Sequence, residues 1–245
     1  MNSKIVAMYR IQNEERWIEK SLESASEICQ EIVILDDCST DNTVNICKKF
    51  PKVVDIYERK EPLPLDEVRD RNILLQMALK RNPEYVLSLD GDEIIMPNSK
   101  EILSEELKIL YPEALVFSFQ FLYVWDDPAK IRYDGIYGKT WHPRLLKINN
   151  NTSSLTVQET DYPGNLHCGS IPKLEVDDYL YRSNVKILHY GNFDNEIRQK
   201  KLSYYNKIDP NSSEQDDYVH IVSGEGSRSG PKGMEFLLLP DLLLS

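Results

Sequence analysis

Short apolar runs and amphipathic stretches alternate along the first half of the chain. The apolar runs are rich in Ile, Val and Leu, which is typical of strands buried inside a sheet. The stretches between them repeat apolar residues every three or four positions, as on one face of a helix. This alternation predicts βαβ units, and therefore an α/β fold with a mostly parallel, Rossmann-like sheet that carries helices on both faces.

The predicted strands and helices of this half follow one another in chain order. The strands are expected at residues 4–9, 31–35, 53–57, 85–89 and 114–125. The helices are expected at residues 14–28, 43–50, 65–81 and 99–110. Asn13 stands directly before the first helix and is its predicted N-cap, because a side-chain amide oxygen can accept a hydrogen bond from the first free backbone N–H groups.

The alternation weakens beyond residue 126. Strand-like pieces are expected at residues 139–148 and 185–190, with a polar stretch at 149–160 between them. A helix is expected at residues 192–206. This half of the chain therefore has the pattern of a region added to the α/β core rather than of a second βαβ array.

We divide the chain into three parts on this basis. Residues 1–125 form the core, and residues 126–222 form a region that completes the same domain. Residues 223–245 join a glycine-rich loop to a leucine-rich tail. We expect the loop to be flexible and the tail to dock on the protein or to form a homo-oligomer contact.

The composition narrows the function. Of the 245 residues, 29 are Lys or Arg and 40 are Asp or Glu, which gives a formal net charge of −11. Such a surface repels phosphate backbones, so nucleic acid is not an expected partner. The four cysteines form no CxxC pair, and no apolar run reaches the roughly 18 residues that span a bilayer. We expect a cytoplasmic protein without signal peptide or transmembrane segment.

Acidic residues follow two of the predicted strands. Asp36 and Asp37 close the second strand, and Asp90-Gly91-Asp92 closes the fourth. Ligands of open α/β sheets bind outside the carboxyl ends of the strands, so both groups are placed at the ligand edge. A turn stabilised by Asp side chains is the alternative for the second group.

The glycine-rich phosphate loops GxxxxGK[ST] and GxGxxG are absent from the first βα turn. A bound nucleotide would then need another source of positive charge, such as Mg²⁺ or Mn²⁺ held by Asp92. A carboxylate of the Asp36-Asp37 pair can accept a hydrogen bond from the N3–H of uracil. The acidic edge therefore predicts a site for a nucleotide and a divalent metal.

Four motifs in this order resemble a family 2 glycosyltransferase of the GT-A fold. They are Asn13-Glu14, the run from Val33 to Thr43, Arg71-Asn72 and the run from Leu89 to Glu93. Later motifs resemble the bacterial branch that builds lipopolysaccharide core and other surface glycans. They are Pro143-Arg144-Leu145-Leu146 and His189-Tyr190-Gly191, followed by Arg198, Lys201 and Tyr205.

The resemblance implies an inverting transfer of a sugar from a nucleotide sugar, with uridine preferred, to a hydroxyl of a glycan or glycolipid acceptor. Asp37 would contact the base, Asp90 would lie near the ribose and Asp92 would hold the metal. Arg71 would lie near the base or the diphosphate, and its alternative is an ion pair with a neighbour on its own helix. Arg10 would reach the base from the end of the first strand.

Two residues of the second half extend this implied site. His189 would complete the metal shell, and a hydrogen-bonded core imidazole is its alternative. Lys201 would neutralise the leaving diphosphate, although charged residues on a helix more often face solvent. The resemblance also leaves open a peripheral contact with the inner face of the membrane.

The chain departs from the resemblance at the catalytic base. A Val-His-Glu triplet is expected after a glycine, whereas this chain has Leu166-His167-Cys168 after Gly164-Asn165. His167 is the predicted base, and Asp161 is its main competitor, with Glu159 as a further choice. If residues 165–168 are extended, the side chains of His167 and Cys168 point to opposite faces.

Two other functions compete with sugar transfer. A nucleotidyltransferase shares an acidic strand-end metal site, but its glycine-rich, lysine-bearing first turn is absent. A non-catalytic module that binds sugar nucleotides or glycans would explain the cysteine in place of the expected carboxylate. Neither the transferred sugar nor the acceptor follows from any motif, because loops set the shape of the pocket.

Overall fold

A computed structural model describes residues 3–137, 139–150, 152–174, 180–209, 218–223 and 233–239. Its contacts divide the chain into two compact units that do not follow chain order. The first unit comprises Met1–Phe119 and His142–Val185, and the second comprises Gln120–Trp141 and Lys186–Ser245. The sequence pattern divides the chain by expected function, at residues 125 and 222, whereas these two units are defined by packing. The functional division therefore stays a prediction.

The described residues contain ten strands and five α-helices. The strands are β1 (Ile5–Ile11), β2 (Glu31–Asp36), β3 (Val53–Glu58), β4 (Tyr85–Asp90), β5 (Glu93–Ile95), β6 (Val116–Trp125), β7 (Asp127–Arg132), β8 (Trp141–Lys147), β9 (Leu180–His189) and β10 (Phe236–Leu238). The helices are α1 (Ile18–Ile28), α2 (Thr43–Cys47), α3 (Glu67–Leu79), α4 (Ser99–Glu105) and α5 (Asn195–Ile208). The order confirms the predicted α/β fold.

The sheet of the first unit has the order β8-β4-β1-β2-β3. β1 pairs in parallel with β2 and β4, β2 pairs in parallel with β3, and β8 is antiparallel to β4. The register places Arg10 opposite both Leu35 and Asp90. The carboxyl ends of these three central strands therefore meet at one edge, as the sequence predicts.

Helices cover the central strands, and the strands are apolar because their side chains are buried beneath these helices. Every side chain from Ile5 to Tyr9 is buried, although successive side chains of a strand point to opposite faces. On one face, Val6 and Val33 pack against Leu74 of α3 in a continuous apolar cluster. Full burial of one such side chain stabilises the fold by roughly 1.5–3 kcal/mol. These contacts hold together the central strands whose carboxyl ends carry the acidic residues.

Two predicted helices differ from the observed ones. The first begins at Ile18 rather than at residue 14, because Asn13 has a positive φ of 55° and its Oδ1 accepts a hydrogen bond from the backbone of Thr40. Asn13 is thus not an N-cap, and the prediction is wrong. The helix predicted at 99–110 is α-helical only to Glu105 and continues as one π-helical turn, Glu106–Leu110.

Three short strands were not predicted. β5, β7 and β10 are only three to six residues long and carry no clear alternation of apolar and polar positions. β10 belongs to the predicted leucine-rich tail and pairs antiparallel with β7, both in the second unit. The start of the tail is therefore docked. The glycine-rich loop falls largely on residues 224–232, and it and residues 240–245 lie outside the described residues.

A buried arginine organises the second unit. Arg132 donates two hydrogen bonds to Asp134, each 2.8 Å long, and its guanidinium lies 4.5 Å from the ring centre of Trp125 and 4.0 Å from that of Tyr137. Burial of a charge is stabilised when it is paired and hydrogen-bonded in this way. In the parts of the chain that the structure describes, no helix has both the length and the apolar character that crossing a bilayer requires.

Candidate active site

Charged side chains occupy the carboxyl edge of β1, β2 and β4. Four of them close into a ring, which we call the charge ring: Arg10, Asp37, Arg59 and Asp70. Arg10 donates from Nη2 to Asp37 Oδ2 at 2.8 Å and from Nε to Asp70 Oδ2 at 3.0 Å. Arg59 donates from Nη2 to Asp70 Oδ1 at 2.6 Å and closes the ring by pairing Nη1 with Asp37 Oδ1.

The charge ring is anchored below Asp37 by Asp70. Asp70 is fully buried and accepts a further hydrogen bond from Arg69 at 2.8 Å. Burial alone would raise the pKa of Asp70, but the hydrogen bonds from Arg59, Arg69 and Arg10 outweigh it and hold the pKa below its ordinary value. Asp70 is thus ionised and fixes the arginines that in turn position Asp37.

Asp36 lies beneath the same edge and is 3% exposed. Its Oδ2 accepts a hydrogen bond from the backbone N–H of Ser39 at 3.1 Å, which shapes the turn after β2. Its Oδ1 is buried and has no hydrogen-bond partner among the described residues. Since buried polar atoms are normally paired, this oxygen is a candidate acceptor for a ligand N–H.

Arg71 and Asp90 form the second charged group of the edge. Arg71 donates from Nη2 to Asp90 Oδ1 at 2.7 Å and from Nη1 to Ser88 Oγ at 3.3 Å. Burial would raise the pKa of Asp90, whereas Arg71 and then Arg144 lower it, so the pKa lies below its ordinary value. Arg69, and not Arg71, donates a hydrogen bond to Asp70 on the same helix. Arg71 therefore faces the site instead of pairing along its helix.

Gly91 separates Asp90 from Asp92 because a side chain would not fit there. A Cβ at this position would lie 2.6 Å from Glu14 Cγ, so the loop after β1 packs directly on the turn after β4. Glu93 follows, fully buried, and accepts a hydrogen bond from Arg144 at 2.7 Å. Burial raises the pKa of Glu93 to about 8, against the lowering effect of Arg144.

The predicted metal ligands belong to different units. Asp92 is partly buried on the turn after β4 in the first unit, and its carboxylate is a hard oxygen donor of the kind that Mg²⁺ and Mn²⁺ prefer. His189 ends β9 in the second unit, where its ring lies 5.1 Å from the ring of Tyr123 and 5.7 Å from that of Phe121. Their joint action on one metal stays a prediction.

Helix α5 carries the predicted cations of the second unit. Lys201 donates to the backbone oxygen of Gly191 at 3.3 Å, and Lys200 pairs with Glu196 on its own helix at 2.7 Å. Arg198 is buried and donates to the backbone oxygens of Asn192 and Phe193, at 3.0 and 2.9 Å. Arg198 therefore fixes the turn before α5, and the role of Lys201 toward a diphosphate stays a prediction.

His167 lies in a compact turn, residues 162–168, and not in an extended strand, and Asp161 directly precedes this turn. Gly164, Asn165 and His167 have positive φ values of 64°, 54° and 61°. The alternation of His167 and Cys168 across two faces, which was conditional on an extended chain, therefore does not apply. The side chains of His167 and Asp161 are exposed, and the ring of His167 packs edge-on against Tyr162 at 5.1 Å.

The turn docks on the N-terminus of α3. A Cβ on Gly164 would lie 2.8 Å from Leu65 Cγ, and Asn165 Nδ2 donates to Asp66 Oδ1 at 3.0 Å. Asp66 is also the N-cap of α3, because its Oδ1 accepts from the backbone N–H of Arg69 at 3.0 Å. The carboxylate of Asp66 thus caps the N-terminus of α3 and also binds the turn 162–168.

Glu67 lies between this turn and the charged edge. Its carboxylate accepts a hydrogen bond from the backbone N–H of His167, and the thiol of Cys168 lies 4.0 Å from its Oε2. Burial raises the pKa of Glu67, while Arg71 and Arg10 lower it and Asp90 raises it. Burial, with the nearby Glu67 charge, also raises the pKa of Cys168 to about 11, so its thiol stays protonated.

The sequence prediction omitted several of these residues. They are Arg59, Glu67, Asp70, Glu93 and Arg144. An acidic residue in the first turn of a helix is common for electrostatic reasons alone, so Glu67 and Asp70 gave no signal. Arg144 belongs to a quoted motif, but its partner Glu93 lies 51 residues away in the chain.

A family model matches the greater part of the chain. The model described as glycosyl transferase family 2 matches residues 7–157, which include the charge ring, Glu67, Asp90 and Asp92. The matched range ends before the turn at 162–168 and before His189 and Lys201. The family resemblance indicated by the four motifs is therefore confirmed, and the match includes the charged residues of the first unit's edge.

Curated proteins with similar sequences are longer than this chain. The Mycobacterium tuberculosis protein Rv3786c is 22% identical over 226 residues, which cover 84% of this chain and 51% of that protein. The glycosyltransferase SunS from the SPbeta prophage of Bacillus subtilis is 31% identical over 101 residues, covering 41% of this chain and 22% of SunS. The chain therefore covers about half the length of Rv3786c and about a fifth of the length of SunS.

Solved structures confirm the fold. The crystal structure of S. aureus TarS 1-349 superposes with a TM-score of 0.51 at 18% identity and covers 89% of this chain and 70% of that one. The same TarS fragment in complex with UDP-GlcNAc gives a TM-score of 0.50 at 16% identity, with the same coverage. At these identities the likeness shows a shared GT-A architecture.

Proposed function

Because the chain belongs to glycosyl transferase family 2, we propose that it transfers a sugar from a UDP-linked donor to a hydroxyl of a glycan or glycolipid acceptor. The observation that carries this proposal is the shared edge of β1, β2 and β4, where Asp37, Asp90 and Asp92 follow strands in register. The carboxylates proposed to recognise a nucleoside and the one proposed to bind a metal thus lie at the same edge of one sheet.

The charge ring supports recognition of uracil. Each oxygen of Asp37 accepts one arginine hydrogen bond, and a carboxylate oxygen can accept a second. Asp37 can therefore accept the N3–H of uracil while Arg10 and Arg59 keep its orientation. Oδ1 of Asp36, which has no hydrogen-bond partner in the described part of the chain, is an additional acceptor near the same edge. Asp90, oriented by Arg71, would accept a hydrogen bond from a ribose hydroxyl.

The carboxylate of Asp92 fits a divalent cation, Mg²⁺ or Mn²⁺, by the chemistry of its oxygen donors. A bound cation would neutralise charge on the diphosphate as it leaves. His189 is proposed to add an imidazole ligand, and Lys201 to contribute a positive charge toward the diphosphate.

In the proposed reaction the acceptor hydroxyl attacks the anomeric carbon on the face opposite the diphosphate, and the configuration inverts. His167 in the turn 162–168 and Asp161 directly before it are the bases proposed from the sequence, and both side chains are exposed. All four cysteines are free thiols, which supports the proposed cytoplasmic location, with a peripheral membrane contact if the acceptor is a glycolipid.

A panel of UDP- and GDP-linked sugars, UDP-GlcNAc included, with Mn²⁺ or Mg²⁺ tests the proposal through release of the nucleoside diphosphate. We expect release from a UDP sugar only. Asp92→Asn should abolish release and metal-dependent UDP binding, because the metal carboxylate is lost. Asp37→Ala should mainly weaken the preference for UDP over GDP, because the base loses its hydrogen-bond acceptor.

Asp55→Ala, an exposed carboxylate on β3, is the matched control and should behave as wild type. Equal loss of the UDP preference in Asp37→Ala and Asp92→Asn would contradict this division of roles. Pyrophosphate release from a nucleoside triphosphate and a sugar phosphate would identify a nucleotidyltransferase instead. Donor binding without turnover across a broad acceptor panel would identify a binding module.

A further inference from the structure

We propose that Glu67 is the base that takes the proton from the acceptor hydroxyl. The inference rests on the proposed sugar transfer and assigns a step of it to a residue of α3. It follows from the position of the carboxylate, which lies between the charged edge and the turn 162–168 and contacts both the backbone of His167 and the thiol of Cys168.

Four other carboxylates of this region already accept hydrogen bonds from arginines. Asp37 and Asp70 belong to the charge ring, Asp90 accepts from Arg71, and Glu93 accepts from Arg144. Among the described residues, Glu67 accepts only the amide of His167 and the weak thiol donor. Its remaining lone pairs can accept a substrate hydroxyl.

The sequence-predicted bases have less suitable positions. Asp161 is exposed to solvent, and the His167 ring is exposed and packs on Tyr162. The part of His167 that reaches the site is its backbone N–H, which orients Glu67. Cys168 remains a thiol at neutral pH, because its pKa is raised to about 11 by burial. A thiol in this state is a donor to the carboxylate and not a base.

The electrostatic surroundings suit proton transfer. The charged and titratable groups that face Glu67 are Arg71 on its own helix, Arg10 on β1, Asp90 on β4 and Cys168 on the turn. Burial and Asp90 raise the pKa of Glu67 more than the two arginines lower it. A carboxylate with a raised pKa accepts a proton more readily, which improves a general base near neutral pH.

The turn offers a surface for a carbohydrate acceptor beside this carboxylate. Tyr162 is 40% exposed, and its ring and that of His167 meet edge-on at the outer side of the turn. Aromatic rings with an apolar face and a polar end suit the mixed surface of a sugar.

The proposed step balances as follows. The acceptor oxygen forms a bond to the anomeric carbon while its proton passes to Glu67 Oε. The bond from the anomeric carbon to the diphosphate oxygen breaks, and its electron pair leaves with the nucleoside diphosphate. Glu67 then releases the proton to solvent, so the products are the glycoside, the nucleoside diphosphate and one proton.

The test compares variants with UDP-GlcNAc and other UDP sugars as donors, p-nitrophenyl glycosides as acceptor probes, and UDP release as readout. Glu67→Gln keeps the shape and removes the proton acceptor, so kcat should fall by about 10²–10⁴-fold with the donor KM nearly unchanged. Glu101→Gln changes an exposed first-turn glutamate of α4 and should retain wild-type rates. If His167 or Asp161 were the base instead, His167→Ala or Asp161→Asn would show this loss of kcat and Glu67→Gln would not.

The pH profile separates a base from a positioning residue. In the wild-type chain kcat/KM should rise with pH as Glu67 loses its proton, and this acidic limb should disappear in Glu67→Gln. A wild-type rate in Glu67→Gln, or a 10²-fold loss in His167→Ala alone, overturns the inference and leaves sugar transfer standing. Loss of donor affinity in Glu67→Gln also overturns it, since Glu67 would then bind the donor. Absence of UDP release from the wild-type chain overturns the proposed function itself.

Discussion

Asp70 is the residue on which the charge ring depends most. It is fully buried and accepts hydrogen bonds from three arginines, Arg10, Arg59 and Arg69. Removal of one partner from such a buried network leaves the remaining charges desolvated without compensation. Asp37, the carboxylate proposed to face a nucleobase, is therefore oriented through arginines that a fully buried residue holds in place.

Asp70→Asn should reduce the free energy of unfolding by about 3 kcal/mol at pH 7, because three guanidinium groups lose their buried counter-charge. The pKa of Asp70 is lowered in the folded protein, so its ionised form stabilises the fold above the ordinary Asp pKa of about 3.9. This contribution disappears as the pH falls through the folded pKa. The difference between wild type and variant should therefore be full at pH 7 and shrink below about pH 4.

Urea unfolding at both pH values measures this difference. Asp55→Asn, an exposed carboxylate on the neighbouring strand β3, serves as control and should change the midpoint little. A pH-independent difference between wild type and Asp70→Asn would show that packing, and not charge, accounts for the loss.

The turn 162–168 packs directly on the N-terminus of α3. Three positive φ values shape the turn, and Leu65, Asp66 and Glu67 hold it in place. The helix termination by Asp66 and the docking of the turn use the same carboxylate oxygen. A change in the backbone of the turn is therefore expected to reach the carboxylate of Glu67.

Gly164→Ala tests this coupling. Its φ of 64° disfavours a side chain, and the added Cβ would lie 2.8 Å from Leu65 Cγ and from the Leu65 backbone oxygen. We expect a loss of roughly 1–3 kcal/mol in stability and a marked fall in UDP release, because the turn must move away from α3. Gly135→Ala, at a φ of 52° in the second unit, should lose stability but retain UDP release. Equal loss of UDP release in both variants would contradict the coupling.

The protein as a whole is acidic, with a net charge of −11, and its candidate site lies at an acidic edge. The carboxylates of Asp90 and Asp92 lie at this edge and would repel a UDP diphosphate. The arginines of that edge are largely neutralised by Asp37, Asp70 and Asp90. Tight binding of a nucleoside diphosphate therefore calls for an additional positive charge.

UDP with Mn²⁺ should stabilise the protein much more than UDP with a chelator. At a hundredfold excess over the dissociation constant, linkage gives roughly 2.7 kcal/mol, or a rise in Tm of about 5–10 °C for a chain of this size. Thermal unfolding with UDP, UDP and Mn²⁺, and UDP and chelator measures the effect. Mn²⁺ alone is the control. A Tm shift that persists in the chelator would rule out the metal assignment of Asp92.

Local pattern alone was enough for much of the fold. Apart from the short strand β5, the order of strands and helices through residue 125 was predicted correctly, and so was the position of Asp36, Asp37, Asp90 and Asp92 at strand ends. Strand pairing in parallel then brings those ends to one edge without further information. Helix starts and short strands were less predictable, because Asn13 bonds to a distant loop and β10 exists only through its pairing with β7.

Only the tertiary structure determines which charged side chains pair when they lie far apart in the chain. Arg71 had several carboxylates in reach on its own helix, and packing directs it to Asp90, 19 positions later. Glu67 carries no signal in the sequence, and it acquires a candidate role only where the turn 162–168, about a hundred residues later, docks on α3. Periodicity records which face of an element is buried, whereas the pairing of charged side chains depends on distances that exist only after the elements have packed.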